Sequence, residues 1–397
     1  MTPEPQNPEA AAAVEEFEFP PADSANPVPP ARSMQASDFA ADFAQKLDLK
    51  TRHVCWFLGA GASCSAGLPD TVHLKNQILE RLGTSLNPGA AQIFATGTLE
   101  DGLTQIRRIA AVLGEGEELR GLTRVTAVEA NQQICATISA IVGQPATDNS
   151  AFRDLSTLLN RSEYERSVEI FTTNSDTLIE TSLEDEGVPY FDGFIGHIRP
   201  KFRSDLVEPA FVDARTALPS RFVRLWKLHG SVNWFLEDRQ DAKIVVRTAN
   251  AQEGDIAAIF PSDEKYEDSR RVPFIVLLDR FRRALDEADT VLIVSGYSFS
   301  DQHLNEILYD ALQRNPRLAV EVFCYASPIP DLQARARALP GLSVYWPDGG
   351  VVGGRPVTWA GPEPVADLWD GQRFLMGDFA RLTSFLARPE RQLDVPQ

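Results

Sequence analysis

Cysteine is scarce in this chain of 397 residues: only Cys55, Cys64, Cys135 and Cys324 are present. No two of them stand as a Cys-x-x-Cys pair, which argues against a zinc ribbon. Cys55, Cys135 and Cys324 lie in apolar surroundings and read as small core residues, a usage that suits a reducing cytosol. No apolar run reaches the roughly 18 residues that a membrane helix needs. No basic region followed by an apolar stretch opens the sequence, so no secretory signal is expected and a cytoplasmic location is predicted. Positive charge is also in deficit: 38 basic residues face 56 acidic ones, a net of -18. Such a chain repels nucleic acid and anionic membrane at long range, which makes both poor partners, although a local pocket could still hold a small anion.

What is present is enough apolar material, 43% of the chain, to bury a sizeable core. Residues 1–34 stand apart. They hold eight prolines, seven alanines and six acids against the single Arg32, and are expected to form a disordered acidic tail. Helical spacing follows in "SDFAADFAQKL", with Ser37 as the expected N-cap. Residues 54–58 read as a buried strand, then a glycine turn, then a helix over "TVHLKNQILERL" with Val72, Leu74, Ile78, Leu79 and Leu82 on one apolar face. Residues 71–165 carry mostly helical patterns and are expected to form an inserted subdomain. Strands return at residues 167–173, 222–230, 256–260, 290–296 and 318–326, with helical patterns between several of them. Continuous apolar strands alternating with helices predict an α/β, Rossmann-like parallel sheet covered on both faces. Residues 35–330 are the expected catalytic domain, and 331–397 a C-terminal extension serving packing or a partner surface.

In a parallel sheet, ligands bind beyond the carboxyl ends of the strands. Four strand ends here carry tight clusters of small or polar residues: "GAGAS", "TTNSD", "LHGS" and "SGYSFSD". Gly59 and Gly61 permit a tight turn and a close backbone approach to a diphosphate, or serve a plain structural turn. The dehydrogenase fingerprint fails, because Cys64 holds the third glycine position and no acidic residue closes a second strand about 20 residues on. The glycine-lysine pair of a P-loop is absent as well, which argues against a kinase or ATPase. Asn174 and Asp176 suit ribose hydroxyls, and Asp176 equally suits the N-cap of the helix beginning near Thr177. His53 and His73 read as structural, and His303 falls on a helix face. His229 stands at a strand end before a glycine, either as a general base or as a satisfied core histidine.

"GAGASCSAGLPD", "TTNSD", "KLHGS" and "VSGYSFSDQHLNEIL", in this order and spacing, resemble the sirtuin-like (silent-information-regulator) superfamily over residues 50–326. The likeness is to a bacterial branch that lacks the zinc ribbon and acts by cleaving NAD in anti-phage defence, alone or with a HerA-like ATPase or a short Argonaute. The resemblance implies that Gly59, Ala60, Gly61 and Ser63 cradle the NAD diphosphate and that Asp70 lies near the nicotinamide. It implies that Asn174 and Asp176 engage the ribose and the attacking water, and that His229 is the general base. Gly296, Tyr297, Ser298 and Asp301 are expected to border the adenosine half. No metal is expected, a homo-oligomer is, and NAD enters as substrate. Two departures bear on the reaction: "PDTVHL" replaces the "PDFR" of protein deacylases, and no cysteine lies between Gly230 and Phe323. The expectation is therefore an NAD glycohydrolase. The rivals are an NAD-dependent protein deacylase and a non-enzymatic NAD or ADP-ribose sensor that gates a partner.

Overall fold

The computed structural model describes residues 30–207, 222–239, 242–248, 256–258, 272–361, 364–365 and 367–388. It begins with β1 (Arg32–Gln35), α1 (Ala36–Asp48), β2 (His53–Leu58) and the short α2 (Ala60–Cys64). A helical run follows: α3 (Thr71–Leu82), α4 (Pro88–Ala95), α5 (Leu99–Val112), the small hairpin β3 (Glu118–Leu119) and β4 (Leu122–Thr123), α6 (Arg124–Val142) and α7 (Ser150–Arg161). Next come β5 (Val168–Thr172), α8 (Leu178–Asp185), β6 (Tyr190–Phe191), β7 (Phe194–Ile195), β8 (Lys201–Phe202), β9 (Val223–Lys227), β10 (Gly230–Arg239), β11 (Ala242–Arg247) and β12 (Ile256–Ala258). The remaining elements are α9 (Phe274–Asp286), β13 (Thr290–Ser295), α10 (Gln302–Arg314), β14 (Ala319–Phe323), α11 (Pro330–Ala338), β15 (Leu342–Trp346), β16 (Gly349–Val352), β17 (Arg355–Ala360) and α12 (Phe379–Ala387).

Ten strands form the main sheet in the order β1-β17-β16-β15-β14-β13-β2-β5-β9-β6. Every pairing from β15 to β6 is parallel, and β16 runs antiparallel to both its neighbours. The central strand β2, "HVCWFL", is buried at every position. Its alternation divides the core, as a period of two requires. Cys55 and Phe57 join the residues of α9 and α10, whereas Val54, Trp56 and Leu58 join those of α1, α7 and α12. This is an α/β, Rossmann-like fold. From β2 the chain moves outward through β5 and β9, then returns to build β13, β14 and β15 on the other side. That reversal is the topological switch point where such sheets bind ligands.

Helices α3 to α6 enclose a core of their own, from Leu74 to Ile141, while α7 packs into the main core through Phe152, Leu155 and Leu159. Val72, expected on the apolar face of α3, is exposed, because that face is set by Leu74 and Ile78. Residues 1–29 of the expected tail lie outside the described residues. Residues 32–35 are not tail: they form β1, paired in parallel with β17 and burying Met34. Ser37 is not the N-cap of α1, a place that Gln35 takes with extended backbone. Residues 256–258 do form a strand, but in a separate five-stranded sheet, β12-β10-β11-β8-β7, where it runs antiparallel to β10. Beyond residue 330, β15 to β17 continue the main sheet and α12 packs on α7, so this stretch contributes to packing.

The edge of the sheet opposite the strands' carboxyl ends is tied by a buried ionic network. Glu169 of β5 accepts from Arg280 Nε at 2.8 Å and from the Trp226 indole at 2.6 Å, and lies 2.9 Å from His53 Nε2. Arg280 also donates to Glu287 at 2.8 Å. His53, Glu169 and Glu287 lie close enough together to hold a cation, and the Arg280 guanidinium supplies that charge. Burial alone would lower the His53 pKa, but its contacts with Cys55 and Glu169 raise it to about 11. A raised pKa stabilises the fold fully below the unfolded value of 6.5 and loses that contribution as the pH climbs towards 11. The midpoint of denaturant unfolding should therefore fall between pH 7 and 10.5, and a His53→Gln variant should flatten the slope. An equal slope in both proteins would contradict this.

Candidate functional site

The carboxyl ends of β2, β5, β9, β13 and β14 open into one cleft of about 470 Å³, within the usual range of small-molecule sites. Ala60, Gly61, Ser63, Asp70, Asn174, Asp176, His229, Gly296, Tyr297, Ser298 and Asp301 all line it. Gly59 alone of the expected site residues is not in the lining; it lies buried behind the wall. Two walls carry residues that the sequence did not single out as lining. One is the segment after β14, Cys324 to Ile329, whose signal was "CYASPIP" directly following an apolar strand. The other is apolar and comes from the helical subdomain: Leu74, Leu99, Ile138 and Val142.

The glycines act differently from expectation. The N–H of Gly59 donates to Ser295 and that of Gly61 to Gly296, at 3.1 and 2.8 Å. Neither is turned towards a phosphate. What the glycines provide is close contact between two turns: a Cβ on Gly59 would lie 2.5 Å from the Gly296 carbonyl oxygen. Gly296 has φ +68°, and a Cβ there would sit 2.1 Å from the Ala62 nitrogen. Gly296→Ala should cost about 1–3 kcal/mol in backbone strain, with a similar charge for overpacking. Denaturant unfolding measures this, and a loss below about 1 kcal/mol would contradict the contact argument.

Asn174 and Asp176 follow β5 and meet Ser63 of α2. Asn174 Nδ2 donates to the Gly59 carbonyl at 2.9 Å and to Ser63 Oγ at 2.8 Å, and Ser63 Oγ donates to Asp176 Oδ2 at 2.7 Å. The Gly59 carbonyl can only accept, so it fixes the amide orientation. Asn174 Oδ1 is buried and without a partner among the described residues, and Asn174 itself lines the cleft. Buried polar atoms are rarely left so; Glu180 Oε2 and Ser295 Oγ share this state, and of the three residues Asn174 is the one that lines the cleft. Asp176 serves twice, since its Oδ1 accepts from the Leu178 N–H at the start of α8.

A buried ion pair sets this loop against β9. Lys227 donates to the Asp176 carbonyl and to Glu180 Oε1, the latter at 2.7 Å. Burial raises the Glu180 carboxyl pKa, and the Lys227 ammonium opposes that rise. Two residues on, His229 lies in the turn between β9 and β10, beyond the end of the strand expected over 222–230, 13% exposed and with Nε2 3.2 Å from Asp301 Oδ2. Asp301, expected to border the adenosine half, thus faces the histidine. Tyr297 turns its hydroxyl to Asn305 at 2.9 Å, and Ser298 shares a hydrogen bond with Ser300. Asp70 caps α3 at the rim, accepting from the His73 N–H at 2.8 Å, which holds its carboxyl below the usual range.

Among the described residues no lysine or arginine lines the cleft. Its charged groups are the three carboxylates Asp70, Asp176 and Asp301, with His229 beside them. Such a set favours positive charge developing in the ligand and leaves phosphates to hydroxyls and backbone N–H groups. No curated protein matches the chain. Residues 168–343 match the model of the family described as SIR2-like domain. That stretch, which carries Asn174, Asp176, His229, Gly296 and Asp301, is sirtuin-like.

Proposed function

We propose that this chain hydrolyses NAD, releasing nicotinamide and ADP-ribose. The observation that carries the reading is the junction of three strand ends at one cleft. There Asn174, its buried Oδ1 without a partner among the described residues, lies hydrogen-bonded to Ser63, with Asp176 and His229 lining the same cavity. SIR2-like domains use NAD, and these residues fit it. Asn174 Oδ1 would accept from a ribose hydroxyl, and the carboxylates would favour the cationic ring and the positive charge that spreads over the ribose as the bond opens.

The bond that breaks joins the ribose carbon to the nicotinamide nitrogen. Its electron pair stays with that nitrogen, which becomes neutral, so no acid is required. The bond that forms joins the same carbon to a water oxygen. His229 takes the proton that the water loses and returns it to solvent. Asn174 and Asp176 hold the ribose and the water in place, a contribution of orientation. The apolar wall from the helical subdomain limits other nucleophiles. By its resemblance to the ribbon-less bacterial branch, we assign the activity to anti-phage defence through NAD depletion, in a homo-oligomer or beside a HerA-like ATPase or short Argonaute.

The test is to incubate the purified protein with NAD, with and without an acylated peptide. Free ADP-ribose without peptide is the expected result. O-acyl-ADP-ribose formed only with peptide would replace the reading by a deacylase, and binding without turnover would replace it by a sensor.

A further inference from the structure

The loop from β13 to α10 is built to aim one side chain. Phe299 has φ +58°, in the left-handed region where a bulky residue is strained. Three contacts hold it there. Asn305 Nδ2 donates to the Phe299 carbonyl at 2.8 Å, the Tyr297 hydroxyl donates to Asn305 Oδ1 at 2.9 Å, and the Phe299 ring is buried against Tyr297 with centroids 4.8 Å apart. The same hydroxyl reaches the Asp301 carbonyl at 3.2 Å. Asp301 follows at once as the N-cap of α10, with Oδ1 accepting from the Leu304 N–H at 3.2 Å. One carboxylate oxygen therefore serves the helix. The other lies 3.2 Å from His229 Nε2, with Asp301 itself buried.

We propose that Asp301 is a positioning residue for His229: it holds the imidazole by Nε2 and leaves Nδ1 to take the proton. This rests on the NAD-cleavage reading for its consequence and on the loop geometry for its cause. A carboxylate beside one ring nitrogen fixes the tautomer with the proton on that nitrogen and steadies the imidazolium once it forms. Strain at an observed backbone outlier beside a binding cleft is the expected mark of such an arrangement. The step balances simply. One proton moves from water to Nδ1, the ring becomes imidazolium, and Asp301 stays ionised.

Asp301→Ser tests it, because serine is a good N-cap but is too short to reach His229. Two readouts are needed. Nitrogen-15 spectra of the histidine side chains, with the His229 signal assigned by a His229→Gln variant, report the neutral tautomer. The parent should hold its proton on Nε2, and the variant should shift towards Nδ1. In NAD turnover, kcat should fall by about tenfold or more while KM stays within about twofold. Asp301→Asn, which keeps both the cap and a polar contact without the charge, should fall in between and serves if the serine variant does not fold. An unchanged tautomer would overturn the proposal. So would a raised KM at full kcat, which would return Asp301 to the adenosine side. If the parent turns over no NAD, the hydrolase reading fails, and the tautomer comparison still decides on the pair.

Discussion

A His229→Ala variant is expected to fold as the parent does and to cleave NAD about 10²- to 10⁴-fold more slowly. The size follows from the removal of a general base. The intact fold follows from the side chain's place in the turn after β9, where it lines the cleft and its contact at ion-pair distance is with Asp301. Asn174→Ala should also lose turnover, for a different reason. Its amide crosslinks β5 to the turn after β2 through Gly59 and Ser63, so its loss disturbs placement as well as contact. Nicotinamide release measures turnover and calorimetry measures NAD binding. A histidine variant that kept the parent's rate would remove the base from the account.

Glu169→Ala is expected to destabilise the fold strongly. It leaves the buried Arg280 guanidinium and the His53 imidazole short of their shared counterion, and strands the Trp226 indole N–H. Breaking a buried pair from one side costs about 3–5 kcal/mol. Burial works against ionisation of Glu169, but hydrogen bonds from Arg280 and His53 hold its carboxyl well below the usual range. A depressed pKa gives stability that is present above the unfolded value and is lost as the pH falls through the folded one. The parent should therefore weaken progressively in acid below about pH 4.5, and the variant should lose the share of that dependence that Glu169 supplies. Glu169 sits at the far end of β5 from Asn174, so kcat per folded molecule should hold. Denaturant unfolding with parallel NAD assays checks both statements, and a loss below about 1 kcal/mol would show that the network contributes little.

The parallel core was legible because its strands are mostly apolar on both faces, broken by single charges such as Glu169 and Glu321, the pattern of a sheet covered on both sides. Strand ends carrying "TTNSD", "LHGS" and "SGYSFSD" marked the cleft, since the fold itself fixes where such ends meet. Three things were hidden. β1 is four residues without apolar alternation, held at the sheet's edge by a strand more than 300 positions away, and no local pattern announces such a pairing. The hairpin β10–β11 follows the histidine motif with no glycine or asparagine at its turn, so the second sheet was read as one further strand of the first. The roles of Gly59, Gly61 and Asp301 depend on which backbone lies opposite. A glycine that touches a phosphate and a glycine that touches another glycine look alike in sequence.

The central claim is that water attacks the ribose carbon as nicotinamide leaves. Its most direct measurement is the cleavage of NAD by the purified chain in water enriched in oxygen-18, with no peptide present, followed by mass analysis of the products. The account predicts one nicotinamide for each ADP-ribose formed, and one heavy oxygen in each ADP-ribose at the moment of formation. Intact NAD after prolonged incubation would contradict it, and so would nicotinamide release with the ribose carbon bonded to any group other than the labelled oxygen.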